Sequence, residues 1–158
     1  MAKNEVFLTR AGHKKISDEL EHLKKVKRKE LSKTVGEAIS QGDLKENVGY
    51  HAAKEAQGMN EARIAELEST LSWAKIIEDV KMNENEVCVG SFVNLINIDT
   101  KEEVKYRLLS GVEADYDKGE ISYQSPVGIA LLGCKVGDTA VVEVRDGKIR
   151  YKVLKISR

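Results

Sequence analysis

Between Thr9 and about Gln41 the chain contains no proline. Over that stretch Ile16, Leu20, Leu23, Leu31, Val35 and Ala38 recur at spacings that gather them within about 120° of arc on a helix of about 3.6 residues per turn. The spacing predicts one long amphipathic helix. Thr9 offers a hydroxyl suited to an N-cap, and Gly36 weakens the interior slightly. A second helical pattern runs from about Glu46 to Ile77, where Tyr50, Ala53, Gln57, Asn60, Ile64, Leu67, Leu71 and Ala74 step alternately by three and four residues, as in the a/d seam of a coiled coil. Two such helices, each of about 30 residues, would reach on the order of 45 Å. Only a few residues around Gln41 and Gly42 separate them, so an antiparallel pair is the economical way to bury both stripes. The tip of that hairpin falls near residues 42–47.

After Asp79 the pattern changes to short runs of β type at residues 91–98, 103–109, 120–124, 140–144 and 149–156, divided by Gly, Asp and Lys turns. Between them Ser125, Pro126 and, after an apolar run, Gly133 have the cap, first-turn proline and terminal glycine of a short helix. The polar stretch over residues 81–86 marks a boundary. The expected architecture is therefore α+β: a long antiparallel coiled-coil hairpin over residues 1–80, followed over residues 81–158 by a small, mostly antiparallel β-rich domain with one short helix.

Composition narrows the class. A chain of 158 residues, 41% hydrophobic and 33% charged, is foldable and soluble in type. No apolar run approaches the roughly 18 residues of a membrane span, and the opening MAKNEVFLTRAG lacks the apolar stretch of a secretory signal, so no membrane partner and a cytoplasmic setting are expected. Cys88 and Cys134 are too few and too far apart for a disulfide framework or a zinc ribbon. His13, His22 and His51 have no metal-ligand spacing. With 26 basic and 26 acidic residues the net charge is zero, so any nucleic-acid contact must be local. The dense basic run of Lys24, Lys25, Lys27, Arg28, Lys29 and Lys33 has two readings: a track for RNA or an acidic wall, or a solvated helix face beside Glu21 and Glu30.

Asp43 and Glu46 stand three residues apart in Gly42-Asp43-Leu44-Lys45-Glu46-Asn47, which on a helical turn puts both carboxylates on one face. Spacing alone favours a capping box, with Asp43 as N-cap and Glu46 reaching back from the third helical position. The alternative is a pair of oxygen ligands for a hard divalent cation such as Mg²⁺. Two carboxylates cannot fill an octahedral shell. On that reading the hairpin delivers half a site to a partner that supplies the rest.

The residues GDLKEN followed by YHAAKE (50–55), then IAELE (64–68), SPVGIALLG (125–133) and VGDTAVVEV (136–144), resemble the bacterial Gre transcript-cleavage factors, the GreA branch most closely, over nearly the whole chain. The resemblance implies a C-terminal domain of FKBP-like fold that docks on the rim of the secondary channel of bacterial RNA polymerase, with the hairpin inserted in the channel. It implies a transcription elongation factor that is not itself an enzyme. The polymerase hydrolyses the extruded 3′ end of a backtracked nascent RNA, and the factor stimulates that step and rescues arrested complexes. Asp43 and Glu46 would then steady a Mg²⁺ ion held in the polymerase active site and orient the attacking water in a two-metal displacement. The chain alone would hold no cofactor tightly.

By the same resemblance Asn47 and Tyr50 help position the tip and the RNA end, and Lys54 meets the extruded RNA, where a cation would attract phosphate. On local grounds Asn47 and Tyr50 read as a second cap and a seam aromatic, and Lys54 as a solvated lysine. Two departures stand out. Val48-Gly49 replaces the usual Ala-Glu, and Ile39 stands where an arginine often precedes the tip; both bear on RNA contact and not on the acidic pair. A coiled-coil chaperone with an FKBP-like end and a channel-binding paralogue that inhibits transcription are the competing functions, and retention of both carboxylates argues against the second.

Overall fold

The computed structural model describes residues 5–42 and 44–158; residues 1–4 and Asp43 lie outside the described residues. The chain forms two compact units, one of residues Ala11–Ala74 and one built from residues up to Arg10 together with Lys75–Arg158.

The first unit is a helical hairpin. Its first arm comprises α1 (Arg10–His22), a π-helical segment at Leu23–Lys27 and α2 (Arg28–Ser40), and α3 (Val48–Ser72) returns along it. Ile16, Leu31 and Ala38 from the first arm and Ala53, Ile64 and Leu67 from α3 are buried, as the two periodicities require. Full burial of each large apolar side chain contributes about 1.5–3 kcal/mol. Ion pairs flank this seam: Lys24 to Glu68 at 2.6 Å, a two-pronged Arg28 to Glu61 at 2.7 and 2.8 Å, and Arg63 to Glu19 at 3.1 Å. Exposed pairs of this kind contribute about 0–1 kcal/mol each, so apolar burial holds the arms together and the pairs align them. Much of the basic run is thereby neutralised within the hairpin, since Lys25 also pairs with Glu21 and Lys33 approaches Glu37 at 3.9 Å. That pairing supports the solvated-face reading of the run.

Two features differ from the periodic reading. The first arm is not one continuous α-helix, because at Leu23–Lys27 the bonding shifts to i→i−5, with the Arg28 amide donating to Leu23 O. The second helix stops at Ser72 and not at Ile77. Trp73 closes it with its amide bonded to Leu71 O, and Ala74–Ile76 forms a strand, β2, paired with β1 (Val6–Leu8). Local periodicity is compatible with helix through Ile77; a strand partner nearly seventy positions away in sequence overrides it.

The second unit carries a five-stranded sheet in the order β5-β4-β3-β7-β6, from β3 (Phe92–Asn97), β4 (Glu103–Leu109), β5 (Glu120–Ser122), β6 (Thr139–Val144) and β7 (Gly147–Ser157). All neighbours are antiparallel except β4 and β5, which run parallel, and a bulge between Asn94 and Leu95 bends β3 against β7. Val93, Leu95, Leu108, Leu131, Val142 and Val153 are fully buried between this sheet and the short helix α4 (Pro126–Leu131). Phe7 joins the same core, edge-on to Tyr123 at 6.4 Å between ring centres. The Thr9 amide donates to Glu113 at 3.0 Å and its hydroxyl donates to the same carboxylate. The expected division at residues 80 and 81 is corrected accordingly: residues 5–10 and 75–80 belong to the β unit, because β1 and its neighbours bury their apolar side chains there. The α+β arrangement itself is the expected one. Among the described residues no helix is long and apolar enough to cross a membrane.

Ser125 caps α4, its hydroxyl accepting the Gly128 amide at 3.1 Å, and the first turn lies so close to the chain before it that a Cβ at Gly128 would stand 2.2 Å from Ser122 O. A Cβ at Gly36, in α2, meets nothing within 4 Å. Gly128→Ala is therefore expected to destabilise the protein by about 1–3 kcal/mol through backbone displacement. Gly36→Ala should stabilise it by about 0.5–1 kcal/mol. Urea unfolding of the two variants beside the parent protein checks both signs.

Candidate functional site at the hairpin tip

The turn between α2 and α3 is built by local chemistry. The Gln41 amide closes the last turn of α2 on Ala38 O at 3.2 Å, and Gly42 follows at φ +153°, a backbone conformation that residues with side chains rarely adopt. Leu44, Lys45 and Glu46 form a turn, and α3 begins at Val48.

The cap of α3 is Asn47. Its Oδ1 accepts the Tyr50 amide at 2.9 Å, satisfying one of the unpaired donors of the first turn. Its Nδ2 donates across the hairpin to Ala38 O at 2.6 Å, at the end of α2. One side chain thus satisfies groups on both helix ends and ties them together. The capping box that spacing alone favours does not hold for Glu46, which precedes the cap and lies outside the helix, so it is not at a third helical position. His51 supports the same turn, with its Nε2 3.3 Å from Lys45 O and its ring edge-on to Tyr50 at 5.6 Å.

Glu46 is exposed, and among the described residues its carboxylate has neither a hydrogen-bond nor an ion-pair partner. It stands just ahead of the α3 N-terminus, where the helix dipole favours negative charge. Asp43, the other half of the acidic pair, lies outside the described residues. Tyr50 is half-buried in the first turn of α3, and Lys54 is exposed one turn further on, its Nζ bonded to Gln57 Oε1 at 3.2 Å. Glu46, Asn47 and Tyr50 therefore belong to one local structure, and Lys54 lies roughly 12 Å along the helix from the acid.

A hard cation needs unpaired, accessible oxygen ligands, and the Glu46 carboxylate fits that demand. Among the described residues no group of three or more His, Cys, Asp or Glu side chains is placed to hold a metal ion. What the described part of the tip can do chemically is offer the one exposed carboxylate of Glu46 as a ligand, too few to hold an ion by itself. Ile39, Leu44 and Val48 are exposed apolar side chains on either side of Glu46, with Val48 81% accessible. Helical periodicity gave no hint of the Asn47 tie to Ala38, because that contact depends on the chain reversal at Gly42. The cap itself had a local signal: an Asn directly ahead of a helical run.

The N-terminal family description "Transcription elongation factor, N-terminal" matches residues 6–76, and "Transcription elongation factor, GreA/GreB, C-term" matches residues 82–158. Relatives named transcription elongation factor GreA include one from Alkaliphilus oremlandii, 45% identical over 158 residues, covering 100% of this chain and 99% of the relative. Another, from Christiangramia forsetii, is 43% identical over 152 residues, covering 96% of each. Among solved structures, the GreA factor homolog 1 (Gfh1) of Thermus thermophilus is 33% identical, covering 98% of this chain and 99% of that one with a TM-score of 0.44. With both halves matched and curated relatives above two-fifths identity from end to end, the chain belongs to the GreA/GreB family of transcription elongation factors.

Proposed function

We propose that this protein binds bacterial RNA polymerase in the cytoplasm, enters its secondary channel with the hairpin, and stimulates the polymerase's own cleavage of backtracked RNA without being an enzyme itself. The observation that carries the reading is the Glu46 carboxylate, exposed and without an ion-pair partner among the described residues at the turn of a long hairpin, with Asp43 three positions before it. An acidic side chain serving only the fold would be expected in a cap or an ion pair, as Glu61 is; there the Arg28 guanidinium holds the carboxyl below its ordinary range. Family membership supplies the process, and the tip supplies the chemistry.

Asp43 and Glu46 are the residues that would meet a Mg²⁺ ion in the polymerase active site. Bound there, the ion lowers the pKa of water and neutralises charge on the reacting phosphate oxygens. The chain's own work is to carry the carboxylates in, to accept a hydrogen bond from the attacking water and to hold that acceptor still. Asn47 fixes the turn, Tyr50 stiffens its base, and Lys54 stands further back, where RNA phosphate would be attracted. The competing chaperone reading needs none of these acidic groups.

Because the α3 cap is Asn47, neither acid is needed to start the helix, and Asp43→Asn and Glu46→Gln should leave folding unchanged. Each is expected to lower cleavage stimulation on a stalled, backtracked polymerase complex by roughly a hundredfold or more while polymerase binding persists, the scale of losing a well-placed electrostatic group. Undiminished cleavage by both variants would show that the pair serves the turn alone.

Asn47→Ala removes both the cap and the tie to Ala38, and is expected to cost about 1 kcal/mol. Asn47→Asp keeps the cap acceptor and loses the donor. Hydrogen exchange at the Tyr50 and His51 amides should quicken for Asn47→Ala and stay close to the parent for Asn47→Asp, and cleavage stimulation should fall in both.

A further inference from the structure

The apolar positions of the first arm conceal an irregularity. Ile16 to Leu23 is seven residues and Leu31 to Ala38 is seven, but Leu23 to Leu31 is eight. One extra residue in a continuous α-helix rotates everything after it by about 100°, which would carry Leu31, Val35 and Ala38 toward the edge of the seam. The facing helix has no such insertion, since Tyr50 to Ala74 keeps the three-and-four rhythm throughout. The π segment lies inside the eight-residue interval, at Leu23–Lys27, and its i→i−5 bonding takes up one residue. Leu31 and Ala38 are accordingly buried on the same seam as Ile16.

Backbone bonding alone does not fix where such an insertion is absorbed; a π turn formed one turn earlier or later keeps the same number of hydrogen bonds. The partner helix marks the place. Asn60 is the one polar residue buried in the described part of α3, 6% accessible, and its Nδ2 faces Leu23 O at 3.5 Å, the carbonyl that also accepts the Arg28 amide across the π turn. Next to it Glu61 takes the two-pronged bond from Arg28, the residue just after the π segment, and Glu68 takes Lys24, which lies within it. A buried amide in a coiled-coil seam lowers stability and specifies register, because every shifted alignment leaves it facing apolar side chains.

We infer that Asn60 pins the extra residue of the first arm at Leu23–Lys27 and thereby sets the register in which the two helices present the Glu46 turn, making Asn60 a positioning residue for the tip. The register claim stands on the hairpin alone, and its consequence for RNA cleavage rests on the function proposed above. Asn60→Leu leaves an apolar seam, so the arms stay paired and lose only the marker.

The test uses the full chain with Cys88 and Cys134 changed to Ala and nitroxide labels placed at Lys29 and Glu55, exposed positions on opposite arms, Lys29 lying in the stretch that a π turn formed one turn later would rotate. The parent protein should give one distance. Asn60→Leu, with Asn60→Ala in parallel should the first fold poorly, should add a second population displaced by roughly 5 Å, the swing of a side chain carried through about 100° on the helix, with an unfolding midpoint for Asn60→Leu no lower than the parent's. Deleting Val26, an exposed residue of the π segment, removes the irregularity, and in that background Asn60→Leu should restore a single distance. A single unshifted distance for Asn60→Leu in the full chain, or equal broadening with and without Val26, would overturn the inference. With the backtracked complex, Asn60→Leu should lower cleavage at saturating factor roughly tenfold without weakening polymerase binding, since small misplacements are costly. A broadened distance with undiminished cleavage refutes the positioning role. A parent protein that fails to stimulate cleavage refutes the proposed function, while the distances still decide the register.

Discussion

Burial of two apolar stripes against each other is the constraint on which the hairpin depends. Neither arm carries enough apolar surface to bury itself, and an isolated helix is marginal in water. Ile16, Leu31, Ala38, Ala53, Ile64 and Leu67 become buried only because the chain reverses and brings the second stripe onto the first. The surface ion pairs contribute little energy by comparison, but they couple specific levels of one arm to specific levels of the other. Energy and alignment are thus assigned to different residues, and the π turn reconciles the two arms where their periods disagree.

The tip follows from that division. Rigid helices end at Ser40 and begin at Val48, and Asn47 links the two ends through one side chain. With the helix ends satisfied by Asn47, the acidic side chain of Glu46 is released from structural duty and left in solvent. A carboxylate in that state costs the fold little and is available to a partner's ion. Local geometry therefore singles out Glu46 among the described residues of the turn, by the absence of a structural task.

The β unit is organised by different means. Its sheet draws its core from alternate positions of β3, β4, β6 and β7, with α4 laid on it so closely that Gly128 leaves no room for a side chain. Phe7 and the β1 strand enter that core from the far end of the sequence, so this unit is completed by the first described residues of the chain.

Periodicity by itself determined the two helices, their antiparallel pairing, five strands and the capped helix at Ser125, because each is specified by neighbours within a few positions. The family was legible too, in GDLKEN, YHAAKE and SPVGIALLG. The eight-residue step from Leu23 to Leu31 was also present in the sequence, yet its meaning was not, since an amphipathic arc of about 120° tolerates it on paper. Only the tertiary structure decided that the step becomes a π turn facing Asn60, that Ala74–Ile76 leaves the helical pattern to pair with Val6–Leu8, and that the Asn47 side chain, besides capping α3, reaches across the hairpin to Ala38 O. Each of these outcomes is set by a partner distant in sequence or by the reversal at Gly42, and a one-dimensional pattern carries no record of which groups will be left facing one another.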